Sequence, residues 1–384
     1  MQRNPAALKA ALADLEQRHL RRTRRAELHA GIVNFCSNDY LGLAKHPAVV
    51  AAFQDAATKY GVGSGASHLV TGHGPEHEAL EVALAAFTGR EKALVFSTGY
   101  MANMGVIGAL ADQNAALVSD KLNHASLIDG CRLSGAKSQR YRHGDAGHAF
   151  EMLSALDAAI DTRLLITDGV FSMDGDVAPL PDLARAARQT GAWLVVDDAH
   201  GLGIVGATGR GTCEHFGLSA GDVPVLVGTF GKAFGTFGAF VAGDADLIEF
   251  LIQKSRTYIY TTALPPALAA ATRAALEVSQ RESWRREKVL AHAQKVRRAL
   301  PQFFPVTREA PPATTILPMV VGESQRALAA SRALENKGFL VTAIRPPTVP
   351  AGTARLRITL SAAHEESQVD GLIAALQDCL GELA

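Results

Sequence analysis

The chain has 384 residues, 48% of them hydrophobic, with 38 lysines and arginines against 38 aspartates and glutamates. That length exceeds one ordinary domain core, so a large domain with a smaller companion is expected. The hydrophobic fraction excludes a disordered chain, and the balanced charge removes the long-range attraction that nucleic acid or an anionic membrane calls for.

At the N-terminus Leu8, Leu12 and Leu15 recur at helical spacing, while Lys9, Asp14 and Glu16 interrupt any signal-peptide core. No stretch reaches the ~18 uncharged apolar residues of a membrane span. The basic run 18–25 reads as a solvated helix end. Cys36, Cys131, Cys213 and Cys379 lie far apart with no CxxC pair. Reduced thiols in a cytoplasmic enzyme are therefore expected rather than a disulfide framework or zinc site.

Strand-like runs follow at residues 93–97, 115–119, 163–168, 192–197, 223–228 and 237–242, with helical patterns at 76–87, 146–160 and 181–189 between them. Several of the strand runs are continuously apolar, as in strands buried on both faces, and the β/α alternation predicts a doubly wound, largely parallel sheet. The character changes after Leu264. Pro265 and Pro266 open one or two long helices over 267–300. Strand-like runs at 315–321, 338–344 and 354–360, with helical patterns at 324–336 and 365–380, predict a small α+β domain. The expected divisions are an N-terminal helix and lead-in segment over 1–45, a large domain over 46–280 and a small domain over 281–384.

The chemistry-bearing residues gather at predicted strand ends. Thr229-Phe230-Gly231-Lys232-Ala233-Phe234-Gly235 places a lysine in an apolar, glycine-rich segment. Desolvation there favours the neutral, nucleophilic amine, able to form a Schiff base. Asp197-Asp198-Ala199-His200 ends another strand, where ligands of parallel sheets bind, and an aspartate there can pair with a cofactor's ring nitrogen. Asp168–Gly175 and Asp120–Ser126 follow two further strands, and helix capping alone does not account for polar side chains at four strand ends. Ser97-Thr98-Gly99-Tyr100 runs into a helix, whose exposed N–H groups suit a phosphate.

Two motifs are decoys. Gly201–Gly206 matches the dinucleotide pattern GxGxxG, yet no strand directly precedes it and no helix follows. His73 and His77 stand four apart like metal ligands, but Gly74 and Pro75 interrupt the helix between them, so no metal is expected.

Assembled, these motifs resemble the α-oxoamine synthases, pyridoxal 5'-phosphate (PLP) enzymes of fold type I. Asn38-Asp39-Tyr40-Leu41-Gly42-Leu43, Gly63-Ser64-Gly65 with Gly72, Asn123–Ser126, 169–175, 197–203 and 229–235 follow in the family's order, covering about 34–365. The resemblance implies a PLP-dependent transferase acting as a homodimer with shared active sites. It assigns Lys232 as the Schiff-base lysine, Asp197 as partner of the pyridine nitrogen and His124 as the group stacked on the ring. It places Ser172 and His200 on the phenolic side and Gly99, Tyr100 and Thr229 at the phosphate. Tyr100 departs from the phenylalanine common there, a change to which a backbone contact is indifferent. Arg345, Asn38, Arg21 and Thr348 are implied substrate contacts, with Thr261 or Thr262 reaching the neighbouring subunit's phosphate.

Residues 344–355, opening on Ile344-Arg345-Pro346-Pro347-Thr348, are similar to the family's acyltransferase of biotin synthesis, which condenses L-alanine with a pimeloyl thioester (pimeloyl-CoA or its carrier-protein equivalent). The alternative is a glycine-using member of the 2-amino-3-ketobutyrate ligase or 5-aminolevulinate synthase type, which usually lacks that Arg-Pro-Pro opening. A regulatory protein on the same fold has no need of a Schiff-base lysine.

Overall fold

The chain first pairs at the two-residue strand β1 (Val33–Asn34). Seven further strands then build one sheet: β2 (Lys92–Phe96), β3 (Ala116–Asp120), β4 (Lys137–Tyr141), β5 (Arg163–Asp168), β6 (Trp193–Asp197), β7 (Val225–Thr229) and β8 (Ala239–Gly243). Their order is β2-β8-β7-β6-β5-β3-β4, and only β8 runs antiparallel to its neighbours. This computed structural model describes residues 4–26, 31–304 and 314–383. The chain divides into two compact units, one of Met1–Ser37, Ala291–Ala310 and Thr315–Ala384, the other of Asn38–Leu290 and Pro311–Thr314.

The apolar strand runs are explained by two cores. Leu164, Ile166, Val195 and Val227 point to one face, with Val106 and Ile107 of the helix Gly99–Leu110. Leu165, Leu194, Val196 and Leu226 point to the other, with Leu183 of the helix Leu180–Thr190. Successive side chains alternate faces, so a strand covered on both sides must be apolar throughout. Each such side chain contributes about 1.5–3 kcal/mol by leaving water.

β4 is absent from the predicted elements because it is an edge strand. Its sequence KSQRY is polar, and only Tyr141 is buried. The helix predicted over 146–160 stops at Ser154, after which Asp157 caps a turn through its contact with the Ala159 amide. The long region after Pro266 forms two helices, Pro266–Arg281 and Trp284–Ala299.

In the smaller unit, β9 (Ile316–Gly322), β10 (Phe339–Leu340), β11 (Thr342–Ile344) and β12 (Ala354–Thr359) complete the strands. The single strand predicted over 338–344 is two strands: β10 pairs parallel with β1, and after Val341 the chain turns to pair β11 antiparallel with β12. The basic run starts as the exposed end of the N-terminal helix Pro5–Gln17, with Arg18 as its C-cap and Arg21 paired back to Glu16, and then continues beyond the helix. At its far end Arg25 forks onto Glu335 at 2.5 and 2.8 Å. No helix among the described residues is long and apolar enough to cross a membrane, and none of the four cysteines is in a disulfide.

Candidate active site

Within the larger unit, the carboxyl ends of β3, β5, β6 and β7 lie side by side and carry Asp120, Asp168, Asp197 and Thr229. Lys232 follows β7 in a tight turn in which the Gly235 amide donates to the Lys232 carbonyl at 2.9 Å. Gly235 has φ +66°, and a Cβ there would stand 2.4 Å from the Ala44 amide nitrogen, so only glycine closes this turn. Lys232 is half-buried and its Nζ lies 2.8 Å from His200 Nε2. The other nitrogen, His200 Nδ1, meets the Tyr40 hydroxyl at 2.6 Å, and that hydroxyl also donates to Asn38 Oδ1 at 3.2 Å.

A second chain of polar groups fixes Asp197. Asn103 Nδ2 donates to Asp197 Oδ2 at 2.6 Å and to Ser126 Oγ at 2.8 Å, while the Ala199 amide donates to Asp197 Oδ1 at 3.0 Å. Ser126 Oγ, accepting from Asn103, directs its own hydrogen to His124 Nδ1 at 2.7 Å. The neutral His124 ring then carries its proton on Nε2. His124 is exposed, yet its pKa is lowered, first by desolvation of the ring; Asp197 opposes this and Lys232 adds to it.

Two neighbouring carboxyls are structural. Asp168 is buried beside Asp197, and burial followed by that negative neighbour raises its pKa well above the usual carboxylate range, while the His124 amide pulls it down. Asp198 is fully enclosed and pushed up to about 7, chiefly by burial, and accepts the Thr212 amide at 2.6 Å. Gly201 of the decoy motif and Gly211 beyond it pack against this carboxyl, since a Cβ at either would fall 2.1 or 2.0 Å from its oxygens. His77, of the other decoy, places its two nitrogens on the Gly74 amide and the Leu264 carbonyl. His143 bridges Asp120 and Asp176, each at 2.9 Å, and these hydrogen bonds raise its pKa to about 10.

Gly99 and Tyr100 occupy the first two positions of a 12-residue helix, where amides lie outside the helical ladder. Thr98 takes the Met101 amide through its side chain and the Ala102 amide through its carbonyl. The Tyr100 hydroxyl donates to Asp129. Thr229 stands beside Gly99, and its hydroxyl donates to the Gly238 carbonyl at 2.9 Å. Ser172, half-buried, sits in the loop after β5, where the Gly169 amide donates to the Asp197 carbonyl at 2.7 Å. Thr262 forms an isolated bridge with Ser67, and Thr261 precedes it half-buried.

The smaller unit carries its own basic cavity of about 860 Å³, lined by Arg21, Arg22, Arg25, Arg332, Arg345 and Thr348. Arg345 donates to the carbonyls of His19 and Arg21, Arg22 reaches Thr348 Oγ1 at 3.0 Å, and Arg21 pairs with Glu16 at 2.9 Å. Desolvation, followed by the Arg22 charge, lowers the Arg345 pKa.

A family model, "Aminotransferase class I and II", matches residues 30–376. The chain is 60% identical to the 8-amino-7-oxononanoate synthase of Methylococcus capsulatus over 92% of its own length and 90% of that protein's. It is 57% identical to the enzyme of the same name from Pseudomonas putida, over 92% and 89%. The chain belongs to the 8-amino-7-oxononanoate synthases, within the class I and II aminotransferase family. The serine palmitoyltransferase of S. paucimobilis, solved with a PLP–myriocin aldimine bound, superposes with a TM-score of 0.91 at 30% identity, covering 98% of this chain and 97% of that one. The 8-amino-7-oxononanoate synthase of Francisella tularensis gives 0.78 at 29%, over 92% and 98%.

Membership of this family makes the protein PLP-dependent, and the residues present fit that group. A lysine amine is held by an imidazole, a strand-end carboxylate is braced by two N–H donors, and two helix-start amides lie outside the ladder. Asn103 and Tyr40 carry no assignment in the sequence reading. Asn103 left one signal: it is the lone strongly polar side chain in the helix GYMANMGVIGAL.

Proposed function

We propose that Lys232, Asp197 and His124 carry the family's reaction, the decarboxylating condensation of L-alanine with a pimeloyl thioester, giving 8-amino-7-oxononanoate, CO₂ and the free thiol. PLP, when bound, supplies an aldehyde that takes up an amine and a ring that accepts the electrons of a carbanion. Lys232 would anchor it covalently and, as a free amine, would take the proton from the alanine Cα. Asp197, held in place by Asn103 and the Ala199 amide, would pair with the ring nitrogen. His124 lies against the ring face as a neutral imidazole, its orientation set by Ser126.

Gly99 and Tyr100 offer amides to the phosphate, joined by Thr229, while Ser172 and His200 face the phenolic oxygen. Asn38, Arg21, Arg345 and Thr348 are the substrate contacts; a guanidinium's five donors leave Arg345 capacity for a carboxylate beside its two carbonyls. A homodimer sharing its sites, with Thr261 or Thr262 reaching across, completes the reading, and the cytoplasmic place rests on cysteines outside disulfides and a thioester substrate.

The observation that carries these roles is the pairing of Lys232 Nζ with an imidazole, close to an aspartate held at the end of the adjacent strand. Product mass from pimeloyl-CoA offered with L-alanine or with glycine tests the reading. Faster product from glycine would assign the chain to a different α-oxoamine synthase activity.

A further inference from the structure

His73 falls between the short helix His68–Gly72 and the helix Pro75–Thr88, which carries Glu78 and Glu81 on one face at i and i+3. The sequence expectation of no metal weighs His73 against His77. The fold instead turns His77 to the Gly74 amide and the Leu264 carbonyl and sets Glu78 beside His73. His73, Glu78 and Glu81 each bring one ligand atom within 4.8 Å of the other two. Donors around a four-coordinate ion, at bonds of about 2.0–2.2 Å, stand about 3.3–3.6 Å apart. His73 Nε2 and Glu78 Oε2 are already at 3.3 Å, so what remains is the approach of Glu81 to that pair. The outer contacts are built as well. His73 Nδ1 meets His68 Nδ1 at 3.0 Å, and the His68 ring stacks on Tyr258 with centroids 4.7 Å apart. Glu81 Oε1 accepts the Val95 amide of β2 at 2.9 Å, which leaves Oε2 for an ion. Metal-binding imidazoles and carboxylates are ordinarily oriented through their second atom in this way. Among the described residues no lysine or arginine pairs with either glutamate, and the ion pair of Glu78 is with His73.

We propose that His73 Nε2 and the carboxylates of Glu78 and Glu81 bind one divalent transition-metal ion of the zinc type, with water completing its coordination on the exposed side of Glu78. One imidazole nitrogen and two carboxylate oxygens suit such an ion better than a soft one that calls for thiolates. For Nε2 to bind, the His73 hydrogen sits on Nδ1 and is donated to a neutral His68, which carries its own hydrogen on Nε2. Each ring therefore keeps one proton, and a protonated Glu81 gives its proton to solvent. The ion ties the turn at His73 to the helix Pro75–Thr88 and, through Glu81 and the Val95 amide, to β2. It stabilises this part of the larger unit, and none of the roles given to Lys232, Asp197 and His124 uses it.

The experiment uses the full, PLP-loaded chain, stripped of metal with a chelator and of excess PLP by gel filtration. Equilibrium dialysis against Co²⁺ should find one tight ion per chain, displaced mole for mole by Zn²⁺. His73→Gln, Glu78→Gln and Glu81→Gln should each weaken Co²⁺ binding about tenfold or more, because even outer contacts of a metal site are worth ten- to a hundredfold. The visible absorbance of bound PLP should stay unchanged in all three. Glutamine at 81 can still accept the Val95 amide, and Glu78 is exposed, so Glu78→Gln answers even if a variant at half-buried Glu81 fails to fold. In the unaltered protein the thermal unfolding midpoint should rise with Zn²⁺ concentration, and in Glu78→Gln it should rise much less at the same concentrations. Failure to bind Co²⁺ would overturn the proposal. So would undiminished affinity in any folded variant of the three, the result expected if the ion is adventitious and sits on scattered surface histidines.

Discussion

Replacing Asn103 by alanine removes the one side chain that ties Asp197 to the Ser126–His124 pair. Its amide makes a charge-assisted bond to Asp197 at 2.6 Å, worth about 1.5–3 kcal/mol, and a neutral bond to Ser126 at 2.8 Å, worth about 0.5–1.5 kcal/mol. Against this, Asn103 Oδ1 is buried without a hydrogen-bond partner, and deleting it returns about 1 kcal/mol or more. The expected net loss is about 1–3 kcal/mol, read from urea unfolding of the PLP-free protein. A double-mutant cycle with Asp197→Ala isolates the charged contact, because in that background the Asn103 substitution should cost about 1.5–3 kcal/mol less. His124 should respond as well, since Ser126 loses the donor that orients its hydroxyl. An unchanged unfolding midpoint, or a coupling energy below about 0.5 kcal/mol, would refute the claim that Asn103 holds the aspartate.

Lys232→Ala should abolish turnover and leave PLP removable by gel filtration; borohydride reduction followed by peptide mapping of the unaltered protein should place the adduct on Lys232 and on no other lysine. Arg345→Lys should keep the visible absorbance of bound PLP but weaken L-alanine binding about tenfold or more, since losing a bidentate partner costs at least ~1.4 kcal/mol; an unchanged alanine dissociation constant removes Arg345 from the site. His143, raised to about 10 by Asp120 and Asp176, stabilises the fold fully below its ordinary value near 6.5, and that contribution is lost as pH rises towards 10. The stability difference between the unaltered protein and His143→Gln should therefore shrink steadily over that range, and a difference independent of pH would show that the two carboxylates do not hold a charged imidazole.

The sequence by itself determined the central sheet and its chemistry-bearing edge. Strands buried on both faces must be apolar throughout, so the runs around Leu164–Ile166 and Leu194–Val196 announce themselves, and the polar residues that end them mark where the chain leaves the core. The placing of Lys232, Asp197 and His124 at or just after strand ends was legible for the same reason. The edge strand β4 was not, because one flank has no neighbour and its polar side chains need no burial. Nor was the split of 338–344 into β10 and β11, since a change of pairing partner leaves no trace in a short apolar run. The tertiary structure alone decided that Asn103 meets Asp197 across 94 positions of sequence and that Tyr40 meets His200 across 160. Hydrogen bonds specify direction and distance, which periodicity and composition do not encode. Asn103 and Tyr40 act through contacts that exist only once β6, the helix after β2 and the segment after Asn38 are packed together.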